Sequence, residues 1–516
     1  MKTYWLIRVG ITISFLVLLT FILQINLVKG GYYKKLARNN KMTEELVLAK
    51  RGKIFDTKGR LIVESVEVDG VLKRKYLYGE SLGVVTGYVG KVNEEEMETG
   101  KCGKKMNNQT LIGRGGIEEV MNCELLGIDG KKLTETDAMG RISRELGIYD
   151  PVSGNDVNLS IDAFWQDKMY ALLKGKKAAA IVSEVGSGKI LVLATSPSFD
   201  PNFFTNEVDN NKILEYLNDT DNLPMLNRSI GARYHPGSVF KISMAAAGLE
   251  EGVISENSTF EDTGEIKVGD YSFKNWLWTK SGQAEGFINI VHALKRSNDV
   301  FFYRLGENLG SEKMKAWANK FGMGVKSGIE LPAEVAGVVP DANWKKENLN
   351  ENWFLGNTYH MSIGQGDVSV SPLQINIETA IIANNGKKCK PSVLKNSSIE
   401  CKNIGITQNT IDTIKAGMIA ACHSGGTAWP LFNFKTELAC KTGTAEVGDG
   451  SKDTHAWLTA FAPANNPQIV ITVLVERGGE GSDVAAPIVG DFLKEYFEEP
   501  NTLVPRYPTK VPTVKL

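Results

Sequence analysis

An uncharged run from Val9 to Val28, built mainly of Ile, Leu, Val, Phe and Thr, is the feature that most limits what this chain can become. A helix rising about 1.5 Å per residue needs about 20 apolar residues to span hydrocarbon, which is the length of this run. Lys2 and Arg8 precede it and Lys29 comes after it. A cleaved signal peptide carries a shorter apolar core, about 7–15 residues, and a small-residue cleavage site, whereas this run leads into Gly30-Gly31-Tyr32-Tyr33-Lys34. It reads as an uncleaved transmembrane anchor over 9–28, behind a short tip at 1–8. Lys29, Lys34, Lys35 and Arg38 crowd its distal side, so the positive-inside bias leaves its orientation open. Long domains translocate largely regardless of charge, and the chemistry of the domain beyond must decide the side.

The chain beyond the anchor is long enough for more than one domain, since 516 residues exceed the roughly 250–300 at which one core stops growing. Lys+Arg at 59 nearly balance Asp+Glu at 60, so the charge excess that accompanies disorder or nucleic-acid binding is absent, and no nucleic-acid partner is expected. After the anchor, 29–50 reads as a short membrane-proximal helix or linker. From Arg51 to Asp156 the chain is rich in turn residues and shows no long amphipathic period, which describes a small irregular domain.

The texture then changes. Ala178–Val185 and Lys189–Thr195 are β-rich runs joined by Gly186-Ser187-Gly188, a hairpin signal. Ser238–Glu250, Phe287–Leu309 and Leu373–Asn384 read as helices, and strands return near Leu438–Thr442, Thr454–Phe461 and Ile469–Glu476. Strands early and late with helices between predict an α+β domain. The proline-dotted stretch from Glu499 reads as a tail. The six cysteines contain no CxxC pair. They fall into three sequence-local pairs, Cys102 with Cys123, Cys389 with Cys401 and Cys422 with Cys440, which are either ordinary buried thiols or, in an oxidising compartment, three bridges.

Three short patterns carry chemistry. Ser238-Val239-Phe240-Lys241 sets a hydroxyl and an amine three residues apart on a predicted helix, hence on one face, where the amine can take the serine proton if its pKa is lowered. The pattern alone is common, and Ser392-Val393-Leu394-Lys395 repeats it. Context separates the two. Ser238 comes after Tyr234-His235-Pro236-Gly237, a turn that can deliver its hydroxyl to a helix start with free backbone N–H groups, whereas Ser392 comes after Pro391 and runs into Asn396-Ser397-Ser398. Ser297-Asn298-Asp299 lies within the predicted helical stretch. Lys441-Thr442-Gly443-Thr444 puts a lysine and two hydroxyls on a strand, around a glycine read here as letting a substrate backbone approach.

The three patterns in this order resemble class B penicillin-binding proteins, and within them the elongation-type penicillin-binding protein 2 branch, over essentially the whole chain. Arg51-Gly52-Lys53-Ile54-Phe55-Asp56 is similar to the opening of the family's pedestal domain and Gly113-Arg114-Gly115-Gly116-Ile117-Glu118 to its closing signature. Gly364-Gln365-Gly366 and Gly425-Gly426-Thr427-Ala428 are further matches. The resemblance implies a pedestal over 51–154 and a transpeptidase domain over 155–498, with an antiparallel sheet and a helical cluster of the kind shared with serine β-lactamases. Ser238 would then be the acylated nucleophile that expels the terminal D-Ala of a stem peptide. Lys241 would be its base, and Ser297 would relay the proton to the leaving amine. Lys441, Thr442, Gly443 and Thr444 would bind the substrate carboxylate, with the N–H groups of Ser238 and Thr444 as oxyanion hole. Peptidoglycan stem peptides, β-lactams, a membrane glycosyltransferase and elongation-complex proteins are the implied partners, and the bacterial cell membrane, with the catalytic domain outside the cytoplasm, is the implied location.

The departures are specific. Asp299 stands where most of the family has Asn, a variant found in the penicillin-binding protein 2 branch, and its carboxylate opposes any fall in the lysine pKa values. Glu64–Gly70 leads almost directly into Arg74–Gly79, where the family usually inserts a long head. Some relatives bind zinc near the second pattern, but Asn275–Asn298 has no cysteine and His292 lacks companions, so neither metal nor cofactor is expected. The rivals are a serine β-lactamase, for which Glu347-Asn348-Leu349-Asn350 has the wrong spacing, a D,D-carboxypeptidase in which water replaces the acceptor amine, and a non-catalytic scaffold.

Overall fold

Lys2–Leu23 is helical and continues through a π-helical segment, Gln24–Val28, into a further helix, Gly30–Asn39. The 25 residues Tyr4–Val28 are long and apolar enough to cross a membrane, and nothing in the fold covers them. This computed structural model describes residues 2–39, 42–99, 101–104, 106–136, 141–205 and 209–497, so the expected tail from Glu499 lies outside the described residues. The chain forms two compact units, Met1–Gly52 with Leu126–Asn155, and Lys53–Leu125 with Asp156–Leu516.

In the first unit Met42–Val47 is a strand, where the local pattern predicts a helix or linker. It pairs antiparallel with Gly130–Thr136, which pairs with Ile142–Tyr149, so partners some 90 residues away decide a segment whose own pattern is ambiguous.

In the second unit Leu61–Val68 and Val71–Tyr76 form a hairpin closed by Asp69 (φ 52°) and Gly70 (φ 75°), the positive-φ pair that a tight two-residue turn requires. Two residues therefore close the loop between Glu64–Gly70 and Arg74–Gly79. Arg74, 1% exposed, donates to Glu118 at 2.7 Å beneath this hairpin. A lone buried charge is costly, so each holds the other in place.

The larger part of this unit is built on a five-stranded antiparallel sheet in the order Ile190–Ser196, Ala178–Glu184, Ile469–Val475, Thr454–Ala462, Ala439–Glu446. Ile469–Val475 and Ala178–Glu184 are buried on both faces, apart from the terminal Glu184, which explains their apolar runs. Ile181, Leu193, Trp457, Phe461 and Leu474 pack against the helical cluster, while Val182, Val192, Leu458 and Val473 pack on the opposite side with Phe492 and Leu493 of helix Ala485–Tyr496. The α+β prediction therefore holds. Helix Pro372–Ala383 starts on a reciprocal cap between Ser371 and Gln374 with proline at its first turn, and Thr379 reaches Thr459 of the sheet at 2.7 Å.

One helical expectation needs correction. Phe287 lies in a strand, Gly286–Asn289, paired with Thr259–Asp262, and only then do helices Ile290–Arg296 and Asp299–Leu309 begin. Asn289 and Asn298 each cap one of these helices through their side-chain oxygens. Ser297-Asn298-Asp299 thus straddles a junction instead of lying within a helix.

Candidate active site

Tyr234 pairs its backbone with Val370, and the turn after it lies against the edge strand Ala439–Glu446. Gly237 has φ 55°, and a Cβ there would sit 2.8 Å from the Thr444 carbonyl oxygen. Gly443 is tight from the other side: a Cβ would be 3.1 Å from each of Pro236 O, Val239 Cγ1 and Trp457 Cβ. The space a side chain at position 443 would need therefore lies against the turn that carries Ser238. Trp457 Nε1 donates to His235 O at 3.0 Å and fixes the turn from below. A short 3-10 segment, Gly237–Phe240, then leads into the α-helix Lys241–Glu250. Such tight turns are common at helix starts.

Ser238 is half-buried, and among the described residues its Oγ has no hydrogen-bond partner. Lys241 is fully buried and donates to Ser297 O at 2.8 Å and Asp299 Oδ1 at 2.6 Å. These two bonds use both N–H groups of a neutral amine and leave its lone pair free. Burial pushes the Lys241 pKa down, while the charge and hydrogen bond of Asp299 push back. Asp299 also accepts from Trp276 N at 3.1 Å.

Ser297 is the residue in the strained position. Helix Ile290–Arg296 ends on it in the left-handed region (φ 54°, ψ 37°), and Asn298 N turns back to Ala293 O at 2.9 Å. A non-glycine residue held there costs of order 1–3 kcal/mol, which its surroundings must offset. The strain aims Ser297 Oγ at Lys441 Nζ, 2.7 Å away, and Ser297 O at Lys241. Lys441 is also fully buried and donates to Thr442 O at 3.0 Å. Its pKa is held well below the usual lysine value by burial and by the neighbouring Lys241 charge.

Thr442 Oγ1 donates to Thr427 Oγ1 at 2.7 Å, and exposed Thr444 accepts from Gly481 N at 3.3 Å. The three patterns therefore meet. Lys241, Ser297, Asp299 and Lys441 form one hydrogen-bonded chain, with the Ser238 turn packed on the same strand that supplies Lys441, Thr442 and Thr444.

The repeated pattern at Ser392 goes elsewhere. Ser392 Oγ donates to Glu330 Oε1 at 2.6 Å, and Lys395 Nζ reaches Thr57 O at 2.9 Å. All three cysteine pairs are bridged, and Cys440, bonded to Cys422, directly precedes Lys441. Four residues that line or support the site carry no role in the sequence reading: Thr427, Asp262, Asn275 and Glu285. Thr427 stands within the Gly425–Ala428 match without an assigned part, and the others have no local signal, because their partners lie 13–36 residues away.

Residues 178–494 match the penicillin binding protein transpeptidase domain, and residues 64–159 match the penicillin-binding protein dimerisation domain. The chain belongs to the penicillin-binding protein transpeptidase family. It is 31% identical over 462 residues to peptidoglycan D,D-transpeptidase MrdA of Escherichia coli K12, covering 84% of this chain and 72% of that one. Penicillin-binding protein 2 of Pseudomonas aeruginosa, solved in complex with WCK 5153, superposes with a TM-score of 0.76 at 30% identity, covering 88% of this chain and 96% of that one. The same protein of Helicobacter pylori, in complex with MreC, gives 0.79 at 27% identity, covering 89% and 99%. These likenesses place the chain in the penicillin-binding protein 2 branch that its Asp299 variant pointed to.

Proposed function

We propose that this penicillin-binding protein cross-links peptidoglycan as a serine-type D-Ala-D-Ala transpeptidase with Ser238 as nucleophile. The observation that carries the assignment of roles is the buried chain Lys241–Ser297–Lys441, together with a Ser238 whose Oγ has no hydrogen-bond partner among the described residues. Burial keeps Lys241 closer to its neutral form, so it accepts the Ser238 proton as Oγ attacks the penultimate D-Ala carbonyl. The developing oxyanion is held by the N–H groups of Ser238 and Thr444. Ser297 accepts a hydrogen bond from Lys441, which leaves its own O–H free to donate to the leaving nitrogen. The C–N bond breaks as the leaving nitrogen takes the Ser297 proton, Ser297 Oγ is reprotonated by the proton Lys241 took from Ser238, the terminal D-Ala departs, and an ester to Ser238 remains. A second stem peptide's amine attacks this ester, forming the cross-link and freeing Ser238. Thr442, Thr444 and the Lys441 amine receive the substrate carboxylate, with Thr427 orienting Thr442.

The organisation of the chain suits this chemistry. The helix from Tyr4 to Val28 anchors the chain in the bacterial cell membrane, 51–154 acts as pedestal and 155–498 as transpeptidase domain, outside the cytoplasm where the substrate is. A membrane glycosyltransferase and elongation-complex proteins are the proposed partners, in line with the MreC complex of the Helicobacter pylori relative. Labelling with a fluorescent penicillin tests the reading. A stable adduct lost in Ser238→Ala supports it, and rapid turnover of the adduct points to a β-lactamase instead.

A further inference from the structure

Ser297 and Asp299 must hold a junction that is locally strained, and the polar groups beneath that junction form a closed set. Asp262 is 2% exposed, and Asn275 and Asn298 are 0% exposed. Asn298 spends its whole amide on this set. Its Oδ1 accepts from Phe301 N at 2.9 Å, and its Nδ2 donates to Asp262 Oδ2 at 2.8 Å and to Glu285 Oε2 at 2.9 Å. Asp262 Oδ2 accepts further from Asn275 Nδ2 at 2.9 Å and Glu285 N at 3.1 Å, and its Oδ1 from Gly264 N at 2.8 Å. Asn275 Oδ1 in turn accepts from Asp299 N at 3.3 Å. Glu285 is tied down by Arg296 Nε at 2.6 Å, on the residue before Ser297.

Asp262 is therefore the hub of two arms. One runs through Asn298 to the residue after Ser297, and the other through Asn275 to the backbone of Asp299. We propose that Asp262 is a positioning residue for acylation: it holds Ser297 in its left-handed conformation and Asp299 against Lys241, without touching substrate itself. The proposal rests on Lys241 as the base and Ser297 as the proton relay. The physical reason lies in the donor count. Three N–H groups, those of both arms among them, converge on Oδ2 and a fourth on Oδ1, so an amide at 262 either turns its NH2 against Gly264 N and leaves both arms on a neutral oxygen, or turns it against the donors of both arms; either way the hub is weakened.

The consequence is readable at Lys241. The charged groups facing it are Asp299 and Lys441, and Asp299 is the one that favours its ammonium form. Loosening Asp299 leaves the amine neutral to lower pH, so the acidic limb of the acylation profile moves down. A misplaced Ser297 slows acylation at the plateau, by about tenfold or more.

The test uses the full-length protein in detergent, with Asp262→Asn and Asn275→Ala made separately. Second-order acylation of Ser238 by fluorescent penicillin is measured across pH, normalised to the active fraction, beside thermal unfolding. Asn275→Ala cuts only the arm to Asp299, so it decides the matter if Asp262→Asn fails to fold. A slower plateau with an acidic limb at lower pH in either variant supports the proposal. A limb at its wild-type position in the variants that fold overturns it, whatever happens to rate or melting temperature, since that outcome describes a merely structural network. Failure of wild type to acylate at Ser238 would instead refute the catalytic reading, so the two failures are told apart.

Discussion

Replacing Glu378 by Gln should make this protein more stable at neutral pH and leave it nearly unchanged in mild acid. Glu378 lies on helix Pro372–Ala383, is fully buried, and its Oε1 accepts from Ser243 N at 2.8 Å on the helix that begins at Lys241. Its Oε2 has no hydrogen-bond partner among the described residues. Burial raises its pKa from 4.5 to about 8, against the smaller downward pull of the Ser243 hydrogen bonds. Between those values the folded protein holds a proton that the unfolded chain has released, so stability falls as pH rises, by about 1.4 kcal/mol per unit. From pH 5.5 to 7.5 that amounts to about 2–3 kcal/mol, and an amide that mimics the neutral acid removes the loss. Urea unfolding of wild type and Glu378→Gln at both pH values measures it, because contributions from other groups cancel in the difference. A stability gap that stays constant across that range refutes the reasoning.

Gly443→Ala should destabilise by about 1–3 kcal/mol through overpacking against Pro236, Val239 and Trp457, and should slow penicillin acylation by displacing the Ser238 turn. A melting curve and an acylation time course check both, and unchanged acylation would return Gly443 to a role in substrate approach. Asp299→Asn should move the acidic limb of acylation to lower pH, because the group that favours charged Lys241 is gone. A limb that moves upward contradicts the assignment of Lys241 as base. Ser392→Ala should leave penicillin labelling intact, since Ser392 is engaged by Glu330; loss of labelling would reopen the choice of nucleophile.

Much of the fold and site is legible in the residues. The hairpin around Gly186–Gly188 and the final strands announce themselves through apolar runs and turn residues, because a strand buried on both faces has little freedom in composition. Ser238 can be told from Ser392 by the turn before it, which the structure shows packed on the strand of Lys441. The features that escape depend on distant partners. Phe287 reads as helical until Glu261 is known to lie beside it, and Met42–Val47 is a strand because Gly130–Thr136 pairs with it. The left-handed break at Ser297 has no signature of its own, as glycine or asparagine would have provided, since side chains from three other segments impose it. Gly443 shows plainly as a glycine, but which neighbour needs the space can be learned only from the packing.

The most direct test of the central claim is the purified full-length protein supplied with uncross-linked, lipid-linked peptidoglycan strands, with digestion and counting of dimeric muropeptides as the readout. Wild type is predicted to give dimers, accompanied by release of D-Ala, and Ser238→Ala or penicillin-treated protein to give none. Release of D-Ala without dimers would make the protein a carboxypeptidase, and dimers from Ser238→Ala would contradict the catalytic assignment altogether.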